Sequence, residues 1–199
     1  EALNVLLVAL KGGQGFIKVT GEVGTGKTLL CRKLLNLVDD NIVTAYIPNP
    51  FLNPTALRMA LAEELGIKFA RNIGQHRLLA LITGRLLELG AEGKQVVLLL
   101  DEVQAMPDDS LEALRLLTNL ETEKRKLLQV VLFGQPELDV RLSQRKLRQL
   151  KQRIVFSYRL CPLDRRALSE YVQYRLHVAG YRGPELFNAR LIRQLYRSS

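Results

Sequence analysis

The chain has 199 residues, 47% of them hydrophobic, and a formal net charge of +9. That apolar content suits one substantial domain, or one domain with a small appendage, and excludes disorder over most of the length; no apolar run approaches the about 20 residues that cross a bilayer, so neither a membrane span nor a signal peptide is expected. The charge is uneven: residues 1–140 carry 15 Lys and Arg against 17 Asp and Glu, a net of −2, whereas residues 141–199 carry 14 against 3, a net of +11.

In chain order, "EALNVLLVALKGGQG" spaces its apolar residues as an amphipathic helix through about Ala9, broken at Gly12 and Gly13. The apolar "FIKVT", Phe16–Thr20, predicts a strand, and "KTLLCRKLLNLV" repeats Leu at helical spacing. "IVTAYI", Ile42–Ile47, is rich in β-branched residues and predicts a second strand, followed by a loop punctuated by Pro48, Pro50 and Pro54. Helices are expected over Thr55–Leu65, closed by Gly66, and over Gln75–Leu89. Then come a strand at "VVLLL", Val96–Leu100, a helix from Asp109 to about Asn119, and a strand at "LQVVLF", Leu128–Phe133. The basic "LSQRKLRQLKQRI", Leu142–Ile154, is expected as one amphipathic helix, with Leu142, Leu147 and Leu150 inward and a solvated basic face. A last strand, "IVFSYRL", precedes Pro162, after which the pattern is wholly helical: Asp164 is a candidate N-cap, Gly180 a stop, and "ELFNARLIRQLY" begins another helix. Strands that are continuous hydrophobic runs, alternating with helices, predict an α/β fold with a parallel sheet covered on both faces.

Cys31 and Cys161 stand far apart among apolar neighbours without ligand spacing, and are expected as buried, reduced thiols. With His76 and His177 the only histidines, a zinc site is not expected.

"GEVGTGKT", Gly21–Thr28, fits the phosphate-loop pattern G-x-x-x-x-G-K-[ST], with a strand before it and a helix after it. Its glycines let backbone N–H groups turn inward around a phosphate at a helix N-terminus. The expected nucleotide-binding residues are Gly21, Glu22, Val23, Gly24, Thr25, Gly26, Lys27, Thr28 and Leu29, with Lys27 on the β- and γ-phosphates of ATP and Thr28 on Mg²⁺. "VVLLLDE" delivers Asp101 and Glu102 to the C-terminal edge of a buried strand, where ligands of open α/β sheets bind. Asp101 would hold Mg²⁺ through water and Glu102 would polarise the water that attacks the γ-phosphate; a solvated acidic turn is the bland alternative. "LFGQPEL" puts Gln135 on the same edge, either to orient that water or touch the γ-phosphate, or as a turn residue before Pro136.

These elements in this order, with a helical appendage behind them, resemble the AAA+ ATPase module. "GFIKVTGEVGTGKTLLCRKLL", "IPNP", "LLLDEVQ", "FGQPEL", "LKQRI" and "YRLHVAG" together resemble the ExeA or general secretion pathway A family, and within it the members that serve MSHA-type pilus biogenesis. The resemblance implies a P-loop NTPase with a five-stranded parallel sheet of order 5-1-4-3-2 over residues 1–161, and a C-terminally incomplete helical lid over 162–199. It implies an oligomer with ATP at subunit interfaces, inner-membrane pilus or secretion assembly proteins as partners, and a cytoplasmic location peripheral to the inner membrane. By the same resemblance Gln135 takes the sensor position, and Asn49 stands where such ATPases often keep a polar contact to the Walker B glutamate, although a turn-capping role explains Asn49 nearly as well. Arg153 matches the arginine finger inserted by a neighbouring subunit, with Arg148 and Arg145 as alternatives. Family members usually carry a Pro-Phe segment near the adenine and a Pro-Arg lid motif; neither lies within these 199 residues, so nucleotide binding by this piece alone is expected to be weakened or lost.

The competing expectation is a DNA-binding AAA+ protein of the transposition or replication-loader kind, supported by the net +11 of the last third. Against it, "LSQRKLRQLKQRI" has no interleaved aromatic residues on which single strands stack. A basic face also suits anionic lipid, and a non-hydrolysing nucleotide switch is a third alternative.

Overall fold

The computed structural model describes residues 2–13, 15–37, 39, 41–119, 126–184 and 186–198. Two compact units divide the chain, Glu1–Leu160 and Cys161–Ser199.

The first unit is a five-stranded, wholly parallel sheet in the order β2-β3-β4-β1-β5, formed by β1 (Phe16–Gly21), β2 (Ile42–Ile47), β3 (Gln95–Leu100), β4 (Leu128–Gly134) and β5 (Ile154–Leu160). Read from the other edge this is the expected 5-1-4-3-2. The strands alternate their side chains between two layers. Leu98 and Leu100 of β3 and Val130 and Leu132 of β4 face one side, where α3 (Pro54–Glu64), α4 (Gln75–Ala91) and α5 (Asp108–Leu117) contribute Leu57, Leu61, Ile82, Leu86, Leu111 and Leu114. Val97, Leu99, Val131 and Phe133 face the other, against Leu6 and Leu10 of α1 (Ala2–Lys11) and Leu30, Cys31 and Leu34 of α2 (Lys27–Leu37). A strand covered on both faces has no solvated side. That is why β3 and β4 are nearly all apolar, while edge strand β5 alternates half-buried with exposed residues.

The helix boundaries follow local chemistry. Asn53 Oδ1 accepts the Ala56 N–H at 2.8 Å, which starts α3 at Pro54, one residue ahead of the sequence expectation. The basic stretch corrects the expectation of a single helix. It breaks into α6 (Glu137–Leu142), a 3₁₀ turn (Arg145–Leu147) and α7 (Arg148–Arg153). Leu138, Leu142, Leu147 and Leu150 are all buried, and the five-residue step from Leu142 to Leu147 fits no stripe of period 3.6. The chain resets its phase there: Gln144 is extended, and the Ser143 hydroxyl donates back to the Asp139 carbonyl at 2.8 Å.

In the second unit, α8 (Arg165–Val178) is capped by Asp164, whose Oδ1 accepts from Ala167 N at 2.7 Å, and it stops at Gly180 (φ +83°). α9 (Ala189–Ser198) begins later than the sequence suggested, because Asn188 Oδ1 accepts from Arg190 N and Leu191 N and so caps it. Glu1, Val38 and Glu185, which the sequence expectation placed in helices, lie outside the described residues. Both cysteines are free, but only Cys31 is buried; Cys161 follows directly on edge strand β5 and is exposed, against the expectation for it. Among the described residues no helix is long and apolar enough to cross a membrane.

Candidate functional site

The site lies at the C-terminal ends of β1, β3 and β4, three neighbouring strands. β1 runs out at Gly21 and α2 begins at Lys27; between them Gly24 and Gly26 take φ of +82° and +89°, which only glycine adopts without a side-chain penalty. Thr25 closes the loop through its N–H and hydroxyl, both donating to the Glu22 carbonyl. Lys27 is only 5% exposed, and its Nζ donates to the carbonyls of Gly21 at 2.7 Å and Glu22 at 2.9 Å. A cation at a helix N-terminus is electrostatically disfavoured, and among the described residues no carboxylate pairs with this one. Two positive features therefore converge with no ion pair neutralising Lys27 among the described residues, which suits a polyphosphate site.

Directly beside it the Thr28 hydroxyl donates to Asp101 Oδ2 at 2.7 Å. Asp101 is 2% exposed, and its second oxygen accepts the N–H of Glu102 at 3.0 Å. A hydroxyl and a buried carboxylate in contact are hard oxygen donors of the kind Mg²⁺ takes. The residues present therefore fit a Mg²⁺-triphosphate.

Glu102 is the only non-glycine described residue with positive φ (53°), a left-handed conformation that costs about 1–2 kcal/mol in an L-residue. Its carboxylate meets the end of β4. Glu102 Oε2 accepts from Gln104 Nε2, and from Gln135 Nε2 at 3.2 Å, while the Gln135 N–H donates to Gln104 Oε1 at 3.0 Å. Gln135 is thus joined to Glu102, as a residue at that strand end should be if it shares the chemistry.

The other expected residues separate. Glu22 lends the loop its carbonyl; Val23 sits at the loop tip, 78% exposed, and Leu29 on α2 is 55% exposed. Asn49 is exposed and its Oδ1 accepts the Phe51 N–H at 3.3 Å, the turn-capping arrangement; no hydrogen bond joins it to Glu102. Arg153 ends α7 and, among the described residues, has neither an ion-pair partner nor a bond to Lys27, Asp101, Glu102 or Gln135. Two residues that sequence reasoning passed over enter the site: Gln104, and Arg141, whose guanidinium donates to the carbonyls of Gln104 at 2.6 Å and Met106 at 2.7 Å and to Asp108. Gln104 stood inside "LLLDEVQ" without a role, and nothing local marks an arginine 37 residues away as its partner.

Two ionisable groups border the site. Burial pushes the Cys31 thiol up to about 12, with the Asp101 charge adding to the effect, so that α2 presents an inert neutral thiol behind the loop. Hydrogen bonds from Lys146 and then Arg141 hold the Asp108 carboxyl below the usual range.

Comparison with known proteins places this geometry. Over all 199 residues the chain is 46% identical to General secretion pathway protein A of Aeromonas hydrophila, and it spans 36% of that protein's length. Among solved structures, the Aeropyrum pernix ORC2 protein in its ADPNP-ADP complexes superimposes with a TM-score of 0.69 over 89% of this chain and 50% of that one, at 18% identity. Cdc6p from Pyrobaculum aerophilum gives 0.69 over 89% and 48%, at 23% identity. At those identities the likeness establishes the fold alone. The family profile described as AAA domain matches residues 10–142, which takes in the phosphate loop, both carboxylates and Gln135. Since that match covers more than half of the sequence and runs through the strand ends that carry the site, the chain belongs to the AAA-domain family.

Proposed function

We propose that the chain binds ATP with Mg²⁺ and hydrolyses it, and that this cycle drives assembly of a bacterial MSHA-type pilus, as expected of an MshM-like protein, or of a related secretion apparatus. The observation that carries the catalytic half is the Thr28–Asp101 hydrogen bond, with Lys27 on one side of it and Glu102 on the other. Lys27 exchanges its two carbonyl partners for β- and γ-phosphate oxygens, and the loop N–H groups turn toward the same phosphates. Thr28 through its hydroxyl, and Asp101 through water, would hold Mg²⁺, which when bound would neutralise charge on the phosphates. Glu102 has Oε2 tied to two amides, while Oε1 takes no hydrogen bond among the described residues; that oxygen polarises the attacking water. Gln135 orients the same water or contacts the γ-phosphate.

Arg153, inserted from a neighbouring subunit of an oligomer, completes the site. Its lack of an ion-pair partner among the described residues supports this by leaving the guanidinium available. Asn49 meets Glu102 only if the loop from Pro48 to Pro54 rearranges, because its side chain is engaged by Phe51.

In the complete protein, Lys27→Ala loses ATP binding; tight binding retained by that variant contradicts the assignment. Turnover per subunit rises with protein concentration if Arg153 acts across an interface, and a flat profile removes it from that role.

The 46% identity to General secretion pathway protein A supports the biological half, a reading in which the ATPase works at the cytoplasmic face of the inner membrane, held by assembly proteins there. Its test is restoration of pili in a deletion strain by the wild-type gene and not by Glu102→Gln. One observation favours a second reading, a DNA-binding ATPase: Arg145, Arg148 and Lys151 line a surface cleft of about 560 Å³ with Leu142, Ser143 and Gln152. Binding to duplex DNA that falls steeply with salt supports that reading, and no binding at low salt removes it.

A further inference from the structure

We propose that Gln104 is a positioning residue for ATP hydrolysis, its amide holding the Glu102 carboxylate and the Gln135 backbone in one frame that Arg141 fixes to α6. This rests on the assignment of Glu102 as the group that polarises the attacking water.

Gln104 is the middle residue of the 3₁₀ turn Val103–Ala105, entered through the left-handed Glu102 and closed by Ala105 N donating to Glu102 O and Met106 N to Val103 O. Every polar atom of its side chain is spoken for. Nε2 donates to Glu102 Oε2 at 2.5 Å, and Oε1 accepts the Gln135 N–H at 3.0 Å. The amide orientation is dictated by these partners. Rotated by a half-turn, the NH₂ would face an N–H and the oxygen a carboxylate. The backbone carbonyl of the same residue accepts from Arg141, which also binds the Met106 carbonyl and Asp108, so the turn is gripped from α6 as well. Space is reserved for the amide: a Cβ at Gly134 would lie 2.9 Å from Leu138 Cδ2 and 3.3 Å from Gln104 Oε1.

The consequence is chemical. A carboxylate with one oxygen fixed by two amides has its other oxygen fixed in direction, and general-base work depends on that direction. Gln104 bonds both to Glu102 and to the strand end that carries Gln135, the only such bridge among the described residues. Glutamine is specified at this position because the job needs a donor and an acceptor at the end of a two-carbon stem. Glutamate would oppose one carboxylate with another, and methionine would fill the space with neither bond.

The test uses the complete protein and compares Gln104→Met, Gln104→Glu, Glu102→Gln and the double variant Glu102→Gln/Gln104→Met, measuring steady-state ATP turnover and the Kd of a fluorescent ATP analogue. Gln104→Met is expected to lower kcat on the order of 10- to 100-fold, the usual cost of loosening a group that orients a catalytic one, with KM and Kd within about two-fold of wild type. In the Glu102→Gln background the same change is expected to lower the residual turnover no further, because its effect passes through Glu102. Wild-type kcat in Gln104→Met, or an equal further loss in the double variant, overturns the proposal while leaving the Glu102 assignment standing. Wild-type turnover in Glu102→Gln overturns both. If Gln104→Met fails to fold, Gln104→Glu, which keeps the length and the acceptor, decides: kcat loss supports the proposal and wild-type kcat ends it.

Discussion

The strand ends of β1 and β3 and the broken helical stretch from Glu137 to Arg153 both serve the candidate site, yet they are built in opposite ways. At the strand ends, function is held by neighbours in sequence: Gly21 through Thr28 form one loop, and Asp101 and Glu102 are adjacent. In the helical stretch it is held by distant pairs, Arg141 with Gln104 and Asp108, Lys146 with Asp108, and Lys18 with Asp139. The first region gathers buried charge, Lys27 and Asp101, beside Glu102, while the second presents exposed cations, Arg145, Arg148 and Lys151, over a buried leucine spine. The difference separates charge that acts by being desolvated from charge that acts by being presented.

The largest expected effect sharpens that contrast. An arginine finger contributes about 10³- to 10⁵-fold to turnover where one operates, so Arg153→Ala should lose that much ATPase rate with nucleotide Kd within a few-fold of wild type. If turnover survives, Arg148 or Arg145 takes the role. Next in size is packing. Leu99 of β3 and Leu150 of α7 are both fully buried, so Leu→Ala at either should cost about 2–5 kcal/mol by denaturant unfolding, and a Leu150 variant of wild-type stability would break the claim that the helical stretch has a packed spine.

Smaller effects test the distant pairs. Asp108 has its folded-state pKa depressed, so its contribution is present above the unfolded value of about 3.9 and is lost as pH falls through the folded value. The stability gap between wild type and Asp108→Asn should therefore be measurable at pH 7, at most about 1 kcal/mol for so accessible a pair, and should close below about pH 3.9. A gap that persists in acid contradicts the ionic origin. Smallest is a reactivity difference that leaves stability untouched: Cys161 should react with a thiol reagent in the folded protein, and Cys31 only on unfolding, because it is buried with its thiol held neutral.

The same contrast explains what the sequence disclosed. The strands and the phosphate loop were legible because each rests on runs of contiguous residues, apolar in β3 and β4 and glycine-spaced from Gly21 to Gly26, whereas the sheet order was legible only through the resemblance to the AAA+ module. Gln135 was legible as an edge residue, and its bond to Glu102 supports treating it as more than a turn former. The break between Leu142 and Leu147 was visible in the spacing of the leucines but was masked by the run of charge between them. Gln104 was hidden for another reason. Its partners depend on the left-handed turn at Glu102, which no residue preference announces, and on an arginine from another helix. Cys161 misled because its apolar neighbours in sequence belong to an edge strand whose side chains alternate with solvent.

The most direct test of the central claim, that Asp101 and Glu102 beside the phosphate loop form a hydrolytic site, is a single comparison on Glu102→Gln in the complete protein. ATP binding and ATP turnover are measured on the same preparation. The account predicts a Kd within a few-fold of wild type and turnover reduced to a small residual rate. Turnover at the wild-type rate, with binding intact, would contradict it.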